Sequence, residues 1–214
     1  MSEFLYSVDL PERELDCSGE NFTPVMKLPS DLPVFDFSEI YDPDRTLETP
    51  FGVGKYDEVR PTMYTEPQFS SEVRNIHMGI DLAAPIGTKV FAFYHGVIHA
   101  FGVNALPQDY GPTVITRHEI KGQRVYALYG HLSTDSLQNL EVGTAVEQGT
   151  IIGSIGDYAE NGGWNPHLHF QLSRIKPNGY DLPGAVSAAH RAWARRAFPH
   201  PRLVLGPLFP LRGL

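Results

Sequence analysis

Cysteine is all but missing from this chain. Cys17 is the single one in 214 residues, so no intrachain disulfide can form, and its place in the N-terminal segment reads as incidental rather than catalytic. Basic residues are also in short supply, 17 Lys and Arg against 25 Asp and Glu, for a net charge of −8. Binding a nucleic-acid backbone needs clustered Lys and Arg, so nucleic acid is excluded as a partner, and adhesion to an anionic membrane is disfavoured. No stretch approaches the ~20 apolar residues of a membrane span. There is no internal repeat and no low-complexity tract. The N-terminal text MSEFLYSVDLPERELDCSGE has no basic start, no apolar run of signal-peptide length and no small-residue cleavage site. The expectation is therefore a cytoplasmic protein, or a periplasmic or extracellular one if a leading segment has been removed.

What is present suits a soluble globular domain, with 42% hydrophobic and 20% charged residues. Three regions differ in character. Residues 1–60 are rich in Pro, Asp and Glu, and segments such as TPVMKLPSDLPVFDF are broken too often by proline for long helices. They read as an extended arm with short strands, anchored by Phe35, Phe37, Tyr41, Phe51 and Tyr56. Residues 61–175 carry short runs rich in β-branched and aromatic residues, namely KVFAFY, GVIHAF, TVITRH, RVYALY, TIIGSIG and HLHFQL, separated by Gly and Pro turns. The fold class is therefore mainly β, with an antiparallel sheet. Residues 176–214 hold GAVSAAHRAWARRAF, with Val186, Ala189, Trp193 and Ala197 at helical spacing, stopped by Pro199 and Pro201. A short C-terminal helix docking on the sheet is expected, followed by an apolar tail.

Three motif stretches hold the chemistry. HMGID supplies His77 and Asp81, LYGHLS supplies His131, and NPHLHF supplies His167 and His169. Residues two apart on a strand share a face, so His167 and His169 present two imidazoles side by side. His77 and Asp81 are separated by Met78, Gly79 and Ile80, a span short enough to bring both side chains round one ion. Two imidazoles and a carboxylate suit zinc better than magnesium or calcium, and three protein ligands leave a position open, as catalytic sites do. A lone His-x-His is often only a surface pair; the ordered set is more specific.

From His77 to Leu172 the chain resembles the lysostaphin- and LytM-like zinc endopeptidases, metallopeptidase family twenty-three. The family pattern is His-x-x-x-Asp, a histidine after a Tyr-containing strand, then His-x-His. The connecting text agrees in HMGIDLAAPIGTKVFAFYHGVI, YALYGHLS and VGTAVEQGTIIGSIGD. The resemblance implies a sheet of the duplicated-hybrid type and one zinc per chain held by His77, Asp81 and His169. It implies that His131 and His167 are catalytic. Gly162, Gly163 and Trp164 depart from the family text before Pro-His-Leu-His, and Gln171 stands where a glutamate is frequent. The NGGWNPHLHF text and the DYGPT loop are closer to a subset fused between a kinase-like phosphotransferase and an aminotransferase.

The chain has no HExxH, so no helix supplies a glutamate base. Histidine, with a pKa of ~6.5, can take and return a proton near neutrality instead. His131 and His167 would divide the work on the attacking water from that on the oxyanion or leaving amine. Tyr110 and Tyr129 are weaker oxyanion donors, since strand tyrosines more often pack. His95, His99, His118, His190 and His200 lack a partner at ligand spacing. The expected function is zinc-dependent hydrolysis of an amide bond in a peptide or small amide. A non-catalytic peptidase-like module and a two-histidine phosphocarrier are the alternatives. The full set of five residues argues against the first, and Asp81 against the second.

Overall fold

A computed structural model describes residue 6 and residues 8–42, 49–70 and 72–208. Its main sheet has eight strands in the order β1-β2-β4-β11-β8-β7-β6-β9. These are Val34–Phe35 (β1), Gly52–Gly54 (β2), Ile80–Ala83 (β4), Gly96–Asn104 (β6), Gly111–Ile120 (β7), Gln123–Gly130 (β8), Ala145–Val146 (β9) and His167–Ser173 (β11). Every pairing is antiparallel except that of β1 with β2. Two small ribbons complete it: Lys89–Phe91 (β5) with Ile151–Ser154 (β10), and Ile76–His77 (β3) with Ala185–Val186 (β12). The mainly β, antiparallel reading of the sequence holds, and each expected strand run lies in or across a strand.

The middle of the sheet, strands β4, β11, β8 and most of β7, is buried on both faces. Along β8, Val125, Ala127 and Tyr129 enter one apolar cluster and Tyr126 and Leu128 the other. That explains why the strand runs are continuously apolar instead of alternating. The same two-residue period divides β11. Leu168, Phe170 and Leu172 enter the first cluster, which leaves His167, His169 and Gln171 on the opposite face. The N-terminal segment is built in through β1 and β2. Tyr56 donates from its hydroxyl to the Phe198 carbonyl at 2.6 Å, and Phe35, Phe37 and Tyr41 form a chain of ring contacts ending on Trp164. Cys17 is half-buried against the core, where burial first and Asp16 second push its thiol up to about 11.

The C-terminal helix is shorter than its Ala-rich text suggests. Val186 is extended and pairs with Ile76, and the helix proper is Arg191–Ala197 (α2). Strand pairing with β3 overrides helix propensity here. Ala194 and Ala197 are the buried helix residues, while Ala189 is exposed. Arg191 stands at the helix start and pairs with Asp57 at 2.8 Å instead of serving the C-terminal dipole. Short helices follow and precede it, Arg202–Leu205 (α3) and Pro67–Ser70 (α1). Among the described residues no helix is long and apolar enough to cross a membrane.

His118 is buried in this core. One ring nitrogen meets the Thr116 hydroxyl at 2.6 Å and the other donates to the His95 carbonyl at 2.9 Å. Burial lowers its pKa to about 4. A histidine depressed in the folded state contributes stability above its unfolded pKa, and loses it as pH falls toward the folded one. Urea denaturation should therefore show stability falling between pH 6.5 and 4, and His118→Gln should reduce that slope by roughly 1.4 kcal/mol per pH unit.

Candidate active site

Strand register assembles the site. Asp81 on β4 lies directly opposite His169 on β11, and His169 lies opposite Gly130 at the end of β8. His131 follows Gly130, and His77 on β3 is paired with Ala185. All five expected residues therefore meet at one end of the sheet. Gly79 permits the approach within HMGID: a Cβ there would stand 2.4 Å from His169 Cε1. Gly162, at φ +91°, lets the loop before β11 turn against the Asp109 carbonyl, which a Cβ would meet at 2.0 Å.

Three atoms form a nearly equilateral triangle. His77 Nε2 and His169 Nδ1 are 3.0 Å apart, and each is 3.1 Å from Asp81 Oδ1. Tetrahedral zinc with bonds of about 2.0–2.2 Å would set such atoms roughly 3.3 Å apart. His77 Nδ1 donates to the Lys55 carbonyl at 2.8 Å, so its Nε2 faces the triangle without a proton. Burial first, then Arg60, lowers the His77 pKa to about 4. Burial alone would raise the Asp81 carboxyl, but His77 and the Arg60 guanidinium outweigh it and hold Asp81 ionised, well below the usual carboxylate range. An anionic oxygen and a bare imidazole nitrogen at this distance can accept a cation between them. Among the described residues these three form a group able to hold a metal ion.

His131 and His167 stand beside the triangle with ring centroids 4.3 Å apart. Each is tethered through Nδ1, His131 to the Asn161 carbonyl at 2.8 Å and His167 to the Asn165 carbonyl at 2.7 Å. The free Nε2 of His167 lies 3.7 Å from Asp81 Oδ1. His131 adopts φ 62°, an unusual backbone for a non-glycine residue, which turns it out of the sheet at the end of β8. Burial, followed by His167 and His169, lowers the His131 pKa well below its ordinary value, and burial lowers that of His167. Both rings are therefore neutral near pH 7, each with an Nε2 lone pair to offer.

The site opens into a cavity of about 640 Å³ whose walls include Phe37, Tyr41, Tyr64, Phe69 and Trp164. Tyr110 packs on His169, but its hydroxyl is committed to the Leu182 carbonyl at 3.0 Å. Tyr129 is in the core on the opposite face, against Phe170. Neither is placed as an oxyanion donor. The other five histidines stay outside the triangle.

Sequence reasoning missed the residues behind the triangle. Arg60, fully buried, donates from Nη1 to Asp81 Oδ2 at 2.7 Å and from Nε to Glu58 at 3.0 Å. Lys55 pairs with Glu58 at 2.9 Å. No spacing links these residues to the motifs. Asn161 was legible in principle, in an Asn-Gly-Gly turn just ahead of the motif; its side chain bonds Trp164 N and O while its carbonyl orients His131.

The sequence model of peptidase family M23 matches residues 75–181, half of the chain, and spans all five site residues. The chain belongs to peptidase family M23. It is similar to the DD-carboxypeptidase/endopeptidase Mpg of Neisseria meningitidis serogroup B, 38% identical over 96 residues, 45% of this chain and 20% of that protein. It is also similar to the peptidoglycan DD-endopeptidase ShyC of Vibrio cholerae, 30% identical over 120 residues, 54% of this chain and 25% of that protein. The chain thus spans a fifth to a quarter of the length of the curated relatives it matches. Among solved structures, the catalytic domain of the M23 protein EnpA from Enterococcus faecalis is 26% identical, with 66% of this chain and 92% of that one covered and a TM-score of 0.44.

Gly79→Ala should push the His169 ring out of place, with a loss of about 1–3 kcal/mol as an overpacking change. Urea denaturation of the metal-free protein would measure it.

Proposed function

We propose that this chain is a zinc-dependent peptidase whose metal is held, one ion per chain, by His77, Asp81 and His169, with His131 and His167 as its catalytic histidines. The observation that carries the proposal is the triangle of electronegative atoms at 3.0–3.1 Å, buried beside two neutral histidines at the end of an aromatic-walled cavity. Zinc in such a site supplies Lewis acidity toward a carbonyl oxygen and acidity to a coordinated water. The chain's own residues do the rest. His131 and His167 each hold an Nε2 lone pair toward the reacting groups, while a backbone carbonyl on Nδ1 steadies the ring once it is protonated. Between them they remove a proton from the attacking water and deliver one to the leaving amine. Trp164 and Tyr41 stand edge to face in the wall of the cavity beside these groups.

The metal assignment and the catalytic roles separate cleanly. Purified protein should carry about one zinc, by the three-ligand rule for open sites, and His77→Ala, Asp81→Ala and His169→Ala should each lose it. His131→Ala and His167→Ala should keep the metal and lose about 10²–10⁴-fold in peptide hydrolysis. Metal content by plasma emission and a peptide-cleavage assay read the two effects; full zinc occupancy in all three ligand variants would refute the assignment.

The substrate proposed is a peptide, and more narrowly a soluble peptide or wall fragment. The names of the relatives support the peptide class, and the aromatic walls around the cavity support a short, unencumbered chain. The compartment proposed is the cytoplasm, supported by the lone Cys17 and the acidic balance. Cell fractionation, with assays on soluble peptides and intact wall, should find activity in the cytoplasmic fraction and on the peptides. Recovery outside the cytoplasm with efficient lysis of intact wall would overturn this part alone.

A further inference from the structure

We infer that Gln171 is a positioning residue of the metal centre: it holds His169 in the tautomer that turns a bare Nδ1 toward His77 and Asp81. The inference rests on the metal reading of this site and explains a residue to which neither motif nor spacing gave a task. Gln171 lies two residues beyond His169 on β11, hence on the same face, and is fully buried. Its amide has two partners. Nε2 donates to the Pro183 carbonyl at 3.2 Å, and Oε1 stands 3.0 Å from His169 Nε2.

The first contact decides the second. A carbonyl only accepts, so the NH2 end of Gln171 must face Pro183 and the oxygen must face His169. Two acceptors cannot share a hydrogen bond, so His169 Nε2 carries the hydrogen. A neutral imidazole has one N–H, which leaves Nδ1 bare. Without Gln171 the opposite tautomer has the better partner, because Nδ1–H would donate to Asp81 Oδ1 at 3.1 Å. That bond would fill the triangle with a proton from one of its own members.

The anchor is itself fixed. Leu182 O accepts from Tyr110, Gly184 O accepts from Met78 N at 2.9 Å, and Ala185 pairs with His77, so the strap carrying the Pro183 carbonyl is pinned on both sides. His77 has the backbone carbonyl of Lys55 for the same task. For His169 the task falls to a side chain, which makes it open to substitution.

Two measurements test this on the full chain. In the metal-free parent, nitrogen-15 NMR of the imidazoles should show His169 protonated at Nε2 and bare at Nδ1; a proton on Nδ1 overturns the inference. Zinc affinity by chelator competition should fall about 10–100-fold in Gln171→Met, which keeps length and apolar bulk but no acceptor. Gln171→Glu, which keeps an acceptor oxygen, should stay within about threefold of the parent or bind more tightly, since a carboxylate raises the basicity of the ring. Parent-like affinity in Gln171→Met, or an equal loss in both variants, overturns the positioning role. If Gln171→Met fails to fold, the parent tautomer still decides. A parent that binds no zinc refutes the metal reading and leaves the tautomer measurement standing.

Discussion

Three electronegative atoms brought within 3.1 Å of one another are the constraint around which this structure is organised. Left unpaired, a buried carboxylate and two imidazole lone pairs repel and lack solvation, an arrangement that a fold sustains only if the surroundings hold each group in place. The strands do so from below. Asp81 and His169 are cross-strand neighbours, and the ribbon of β3 with β12 carries His77 to the same end. Side-chain and backbone partners do so from behind, with Lys55 O, Arg60 and Gln171 each bonded to one of the three.

The partners behind Asp81 form a charge network in which Lys55, Glu58, Arg60 and Asp81 alternate in sign, buried at every member but the partly exposed Lys55. Such a network is a weak source of stability in itself, because desolvation offsets most of the attraction; removing one member costs about 3–5 kcal/mol by stranding the other. Its value lies in orientation. Arg60 occupies one oxygen of Asp81 and leaves the other to the triangle. This segment precedes the residues that match the family, so the site extends upstream of the family's own boundary.

The N-terminal residues have a second role. Their proline-broken text prevents helices, and β1 and β2 add an edge to the main sheet. Phe37 and Tyr41 then reach the cavity, with Phe37 beneath the Arg60 guanidinium at 4.8 Å and Tyr41 against Trp164. Arm, charge network and the loop carrying Trp164 are thereby in contact, and all three contribute to the walls of the cavity.

The sequence by itself determined a great deal. Period-two spacing put His167 and His169 on one strand face, β-branched runs marked the strands, and the ordered motifs named all five residues that meet in the site. Those signals are local or are carried as a pattern along the chain. It did not determine where the C-terminal helix begins, because pairing of Val186 with Ile76 depends on a strand more than a hundred residues earlier. Nor did it reveal Arg60, Lys55 or the task of Gln171. A hydrogen-bond partner for a site residue is chosen by proximity after folding, and its type is unconstrained by spacing: a backbone carbonyl serves His77, a guanidinium Asp81, an amide His169. Which residues meet in the site belongs to the sequence; how each is oriented was decided only by the tertiary structure.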